Sequence, residues 1–134
     1  MAEFNLSVVA PDRTIFEDKV SSVVAPGVSG YFGIWAGHEP LIAALETGVV
    51  EAREANGNRL FISISGGFVE VSGNSVIILA DSGEHAGDID VAQAERDIEE
   101  ARKALRGEDS SMTQEEATQK LRTAMNRLKA SRMQ

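Results

Sequence analysis

The sequence predicts an all-β domain with an α appendage: an N-terminal antiparallel β-sandwich or barrel followed by a C-terminal antiparallel α-helical hairpin. Three observations predict it. Apolar residues recur in short, turn-bounded runs up to Ala80, with a clear period of two at the start. After Gly87 the period becomes that of a helix, and a polar loop from Glu108 to Met112 splits this second part into two amphipathic stripes. The chain has 134 residues, 43% of them hydrophobic, enough for one packed domain with a small addition. The predicted division is 1–87 for the strands and 88–134 for the helices. Aromatic residues are only 5%, so Val, Ile, Leu and Ala must fill most of the core.

The strands follow in order. Phe4, Leu6 and Val8 alternate with Asn5 and Ser7. Val20 to Val24 runs into the turn signal Pro26-Gly27. Tyr31 to Trp35 is aromatic and branched, with Gly30 before it and Gly37 after. Val49 to Ala52 and Leu60 to Ile62 flank Asn56-Gly57-Asn58, and Asn-Gly is a strong hairpin signal because a type I′ turn needs positive φ at both central residues. Phe68 to Val71 and Val76 to Leu79 flank a second hairpin at Gly73-Asn74. No internal repeat is present.

The helices begin at Asp90, an N-cap with Gln93 three residues on, placed to return a bond to the cap. Ala94, Ile98, Ala101 and Leu105 share one face, and Gly107 suits a left-handed stop. Thr113 and Glu116 form a second capping box, and Ala117, Leu121, Ala124 and Leu128 repeat the apolar spacing. A short loop between two such stripes implies an antiparallel pair. Two narrow stripes bury little, so the hairpin depends on the strand domain or on a partner. A fixed pack and a movable element both fit the pattern.

The net charge is −8 and the pI about 4.7, which argues against a general nucleic-acid binder and against direct binding to anionic lipid. No apolar run approaches the length of a membrane span, so no direct membrane insertion is expected. Met1-Ala2-Glu3 lacks the basic and apolar regions of a secretory signal. Up to Gly87, four basic residues stand against eleven acidic ones, a net −7; from Asp88 onward, nine against ten give −1. The last helix is different. Lys120, Arg122, Arg127, Lys129 and Arg132 outweigh Glu115 and Glu116, a net +3. Acids in the first turn and bases beyond complement the helix dipole, but that does not require five cations, so an acidic partner surface is also expected.

No active site emerges. There is no cysteine, which removes thiolate catalysis and zinc–thiolate sites, and two histidines cannot make a histidine-rich metal centre. Gly27, Gly30, Gly33 and Gly37 lack the Lys-Ser or Lys-Thr of a phosphate loop. Ser63-Ile64-Ser65-Gly66-Gly67 is not a nucleophile elbow. His38 and Glu39 are neighbours on an extended segment and point apart.

Gly30-Tyr31-Phe32-Gly33-Ile34-Trp35-Ala36-Gly37-His38-Glu39-Pro40-Leu41 resembles the G-x-x-G-I-x-x-G-H-x-P-L segment of ATP synthase epsilon subunits. Gly48-Val49-Val50, Ser65 to Val71, Val76 to Asp81 and the Ile89-Asp90 helix start follow in that family's order, so the resemblance covers nearly the whole chain. It implies a β-sandwich of about ten strands in two sheets, and a non-catalytic central-stalk rotor subunit of the bacterial, proton-translocating F-type ATP synthase. Such a subunit couples the gamma subunit to the c-ring and is peripheral at the cytoplasmic face of the inner membrane through the complex. By position, Gly27, Val28, Ser29, Gly30 and His38 would face the c-ring and gamma. The hairpin would lie on the sandwich, or rise to the alpha and beta subunits, where Lys120, Arg122, Arg127, Lys129 and Arg132 would meet an acidic segment of beta and inhibit hydrolysis.

Some members of the family bind ATP in the folded hairpin, through an I/L-D-x-x-R-A start and two arginines four apart on the last helix. Ile89, Asp90, Ala94 and Arg127 match that weak nucleotide site. Gln93 and Thr123 stand where the other two arginines would be, and Arg122, one residue away, points about 100° elsewhere round the helix. ATP binding by the isolated chain is therefore expected to be weak or absent, and no cofactor is expected. Trp35-Ala36 replaces the more usual Leu-Pro. A free-standing ATP-sensing module is the alternative function, and a small hydrolase a third.

Overall fold

The computed structural model describes residues 2–109 and 111–133; Met1, Ser110 of the expected loop and Gln134 lie outside the described residues. The strands are β1 (Phe4–Ala10), β2 (Arg13–Val20), β3 (Ser22–Gly27), β4 (Gly30–Trp35), β5 (Leu41–Arg53), β6 (Arg59–Ser72), β7 (Ser75–Ala80) and β8 (Gly83–His85). A 3₁₀ turn (Ala86–Asp88) leads to α1 (Val91–Leu105) and α2 (Gln114–Ser131). Hydrogen-bonded order is β2-β1-β7-β6-β5-β3-β4, with β8 also on β6.

One ladder supplies both layers because β5 and β6 are long and change face midway. In β6, Ile62 and Ile64 enter the core before the change, Val69 and Val71 after it. The inward positions thus move from even to odd numbers, and the switch falls at Gly66 and Gly67, with φ of 116° and 140°. Only glycine adopts such angles freely. Pairing with β5 persists on both sides, Thr47 with Ser65 and Leu45 with Gly67. One layer holds β4, β3, the second half of β5, the first half of β6, and β8. The other holds β2, β1, β7 and the remaining halves. Leu6, Val8, Val23, Ile34, Val50 and Ile78 fill the space between them. On one side Arg13 Nη2 donates to Gly83 O (2.9 Å) and His85 Nε2 to Ile15 O (2.7 Å), tying β8 to β2 across the layers.

The order of sandwich and hairpin is as expected, but details differ. Among the described residues there are eight strands, not about ten, because β5 and β6 each run unbroken through both layers. The sandwich is not wholly antiparallel: β1 pairs parallel with β7. The Asn56-Gly57 turn is not a two-residue I′ turn. Arg53 pairs with Arg59, the loop spans 54–58, and Gly57 alone has positive φ, 91°. Asn56 instead accepts from Asn58 N through its side chain (2.9 Å). At Gly73-Asn74 the loop does have two residues, with positive φ (59°) at Gly73 only, the pattern of a II′ turn.

Both helices start at the expected caps. Asp90 accepts from Gln93 N (3.0 Å), but the Gln93 side chain turns to Asp97 rather than back to the cap. The Thr113–Glu116 box is complete, with bonds of 3.1 and 3.0 Å. Gly107 ends the first helix at φ 81°. Ala94, Ile98, Ala101 and Ala104 of α1 and Ala117, Ala124 and Ala130 of α2 are buried, whereas Leu105, Leu121 and Leu128 are half-buried. Alanine lets the helices approach closely, but each methyl contributes only about 0.8 kcal/mol of burial. α1 packs mainly on α2, and α2 rests on β5, β6 and the 3₁₀ turn.

The layer switch can be tested by adding a methyl group. A Cβ at Gly67 would lie 2.0 Å from Leu79 O, whereas one at Gly57 meets nothing within 4 Å. Both carry positive φ, so Gly57→Ala should cost about 1 kcal/mol from backbone strain alone. Gly67→Ala should cost about 3 kcal/mol or more, since the strand pairing must also move. Urea unfolding of the two variants compares them directly; equal midpoints would contradict this account of the switch.

Candidate functional site

The two layers present outer faces of opposite character. On the layer of β1, β7 and the first half of β5, the outward residues include Ile42, Phe68, Ile77 and Leu79, exposed by 71, 57, 37 and 54%. The strand registers set them side by side. Phe68 opposes Leu79 and Ala44, and Glu70 lies between Ile42 and Ile77. Large apolar side chains gathered on one bare face mark a surface that a partner covers. Individually, none of these residues stands out from a core residue in the sequence. Only the register reveals them as neighbours pointing outward.

At the end of the β3–β4 hairpin, Gly27 pairs with Gly30, and Val28 and Ser29 form the exposed tip. Val28 N donates to Ala44 O (3.1 Å), so the tip leans on β5. A shallow hollow of about 260 Å³ opens there, lined by Gly27, Val28, Ser29, Gly30, Phe32, Leu41, Ala43 and Ala44. His38 belongs to the segment beyond the far end of β4, where its Nδ1 donates to Glu39 O (2.8 Å) and its backbone N to Trp35 O (3.2 Å). Among the described residues, no hydrogen bond joins His38 to the Gly27–Gly30 tip.

The other outer face lies under α2, and its contacts combine a small apolar cluster with polar bonds around it. Val49, Phe61 and Ala86 surround Ala130, with Ile89 beside them. Around this modest apolar seat, Asn126 Nδ2 donates to Gly48 O (2.7 Å) and Ser63 Oγ (2.9 Å), and Gln119 Nε2 to Thr47 Oγ1 (3.2 Å). Arg127 Nε donates to Glu84 of β8, and Arg127 Nη1 faces Asp97 Oδ2 of α1 at 3.7 Å. All three side chains are mostly buried, with 17% exposure for Arg127 and 22% for each acid.

The five bases of α2 therefore divide. Lys120 Nζ donates to Glu100 Oε2 (2.8 Å), and the hydrogen bond to that carboxylate holds the Lys120 ammonium above its ordinary range. Arg127 is held by Glu84 and Asp97. Arg122, Lys129 and Arg132 are exposed and enter no ion pair among the described residues. Lys129 and Arg132, with Arg102, rim a groove of about 470 Å³ floored by Ile98, Met125, Leu128 and Met133.

Around the positions matched to a nucleotide site, Asp90 caps α1, Ala94 is buried, and Ile89 joins the apolar seat. A cleft of about 290 Å³, lined by Ser63, Ser65, Ser82, Glu84, Thr123 and Arg127 among others, reaches Arg127 from the sandwich side. Its guanidinium already faces two carboxylates. Gln93 Nε2 donates to Asp97 Oδ1 (2.8 Å), and Thr123 takes a bond from Gln119 (3.0 Å). Neither supplies a positive charge. Among the described residues, no group of three or more His, Cys, Asp or Glu side chains is placed to hold a metal ion.

Residues 3–86 match the family described as ATP synthase, Delta/Epsilon chain, beta-sandwich domain, and residues 88–132 match its long alpha-helix domain. The ATP synthase epsilon chain of Moorella thermoacetica is 39% identical over 131 residues, covering 98% of each chain. That of Syntrophomonas wolfei is 39% identical over 133 residues, covering 98% of this chain and 97% of the other. Among solved structures, a chain of the Euglena gracilis mitochondrial ATP synthase, in an assembly of OSCP, F1 and c-ring, shares the fold with a TM-score of 0.80 at 24% identity, over 94% of this chain and 79% of that one. With both halves matched and its relatives aligned almost end to end, the chain belongs to the ATP synthase epsilon chain family.

Proposed function

We propose that this chain is a non-catalytic central-stalk rotor subunit of an F-type ATP synthase, whose sandwich (1–87) docks gamma and the c-ring and whose hairpin (88–134) restrains ATP hydrolysis. The observation that carries the reading is the contrast between the two outer faces. The bare one is apolar and suits a permanent interface. The one under α2 joins a modest apolar seat to a ring of polar side chains, whose hydrogen bonds water can replace when the hairpin lifts. The Gly27–Gly30 tip and His38 are assigned to the c-ring and gamma side, by position in the family. No described helix is long and apolar enough to cross a membrane, and attachment to the cytoplasmic face of the inner membrane is assigned to the partners.

If the bare face seats gamma, residues 1–87 alone should fold and bind it. Phe68→Asp together with Leu79→Asp should weaken binding about 30-fold or more, as loss of central interface anchors does. Pull-down of purified gamma, with circular dichroism to verify folding, reads this out. Undiminished binding by the folded double variant would move the interface elsewhere.

The bases of α2 are assigned to an acidic segment of beta in the raised state. An exposed ion pair contributes about 0–1 kcal/mol, so no single substitution should abolish inhibition. Changing Arg122, Lys129 and Arg132 together to alanine, which leaves the closed-state pairs of Lys120 and Arg127 in place, should raise ATP hydrolysis by the reconstituted complex and flatten its salt dependence. Steady-state ATPase assays at low and high ionic strength decide it; an unchanged rate and salt response would remove the electrostatic mechanism.

The alternative of a free-standing ATP sensor is disfavoured by the site. Tight phosphate recognition uses several charge-assisted donors, and the one retained arginine is paired with carboxylates. Calorimetric titration of the isolated chain with ATP should show no binding in the micromolar range. Micromolar affinity would restore the sensor reading.

A further inference from the structure

We propose that Arg127, Glu84 and Asp97 form an internal clasp that sets the balance between closed and raised hairpin. The inference rests on the reading above that the hairpin moves. Arg127 is the one α2 cation paired with both the sandwich and α1: its Nε donates to Glu84 on β8, and its Nη1 faces Asp97 on α1. One guanidinium thereby links three elements, and lifting α2 off the sandwich must break the Glu84 bond.

Both acids are held ready. Gly83 O, next to Glu84, accepts from Arg13, and His85 on its other side donates to Ile15 O, so β8 is pinned to the far layer. Asp97 Oδ1 accepts from Gln93 Nε2 (2.8 Å), while Oδ2 is the oxygen that faces Arg127. Asn126, the neighbour of Arg127, fixes the register of α2 through Gly48 O and Ser63 Oγ. Preorganised partners lose little freedom on pairing, and partial burial shields the charges from salt. Two negative charges against one positive leave nothing for a phosphate to neutralise. The chain's own carboxylates occupy the arginine.

The apolar seat beneath α2 is too small to decide the equilibrium alone. Ala130 is its only α2 member among the buried residues. Charge-assisted bonds at a half-buried site are thus placed to tilt a two-state hairpin.

The test uses the full chain, which has no native cysteine. Spin labels at Met125→Cys on α2 and Asn58→Cys at the sandwich loop report hairpin position by pulsed electron paramagnetic resonance. The otherwise native chain should give one short, closed distance. Arg127→Gln, and separately Glu84→Gln with Asp97→Asn, should raise the open-to-closed ratio about tenfold, which corresponds to ~1.4 kcal/mol. The exchange Arg127→Glu with Glu84→Arg should recover part of the closed population in an Asp97→Asn background. Thermal unfolding of the sandwich should stay unchanged in all of these polar replacements. Ala130→Asp, which disrupts the apolar seat, serves as the reference for opening. If Ala130→Asp opens the hairpin but the clasp variants keep the native distance, the clasp is refuted while the movable hairpin stands. If Ala130→Asp also stays closed with the sandwich folded, the movable hairpin itself falls, and the clasp with it.

Discussion

The architecture depends on a backbone constraint at Gly66-Gly67. Two consecutive residues with positive φ let β6 exchange its inward and outward faces while remaining paired with β5. A strand has a side-chain period of two, so without that switch the apolar residues of one half would face water. The same pair of strands therefore belongs to both layers. The close approach of Leu79 O to Gly67 makes the site intolerant of any side chain. The two outer faces, and hence the separation of a bare apolar face from a hairpin seat, follow from this one change of direction.

The hairpin is attached in a hierarchy. α1 leans mainly on α2, and α2 leans on the sandwich through alanine, asparagine, glutamine and one arginine. A fixed appendage would be expected to bury leucines, and here Leu105, Leu121 and Leu128 are only half-covered. Small side chains give shape fit without large hydrophobic gain. The result is an element seated by shape, with its specificity in hydrogen bonds that water can replace.

Much of the fold was legible because strong periodicity needs no tertiary information. β1, β4, the β6–β7 hairpin and both helices fall where alternation, glycines and caps put them. β2 leaves no clear strand signal because it is an edge strand whose charges, Arg13, Glu17, Asp18 and Lys19, dilute the alternation. β8 is three residues long and carries no pattern at all. The parallel β1–β7 pair was hidden because strand direction across about 70 residues leaves no local trace. At the candidate site, the sequence exposed the surplus of positive charge on α2 but not its partners. Glu84 lies 43 residues before Arg127, and nothing in the spacing of either points to the other. Gln93 was legible as a helix-start residue, yet its side chain does not return to the cap: its NH₂ donates to Asp97 one turn along, and its oxygen, the atom that would accept from the cap N–H, takes a bond from Arg96 instead.

The chain's one tryptophan sits on the edge strand β4, folded over Gly33 so closely that a Cβ there would lie 2.6 Å from the ring, and it remains 60% exposed. All indole emission from the molecule thus originates at a single, water-facing margin of the sandwich. Its colour therefore reports the water at that margin, and a body laid along it would displace the solvent around the ring. The subunit carries a built-in optical beacon at one edge of the sandwich.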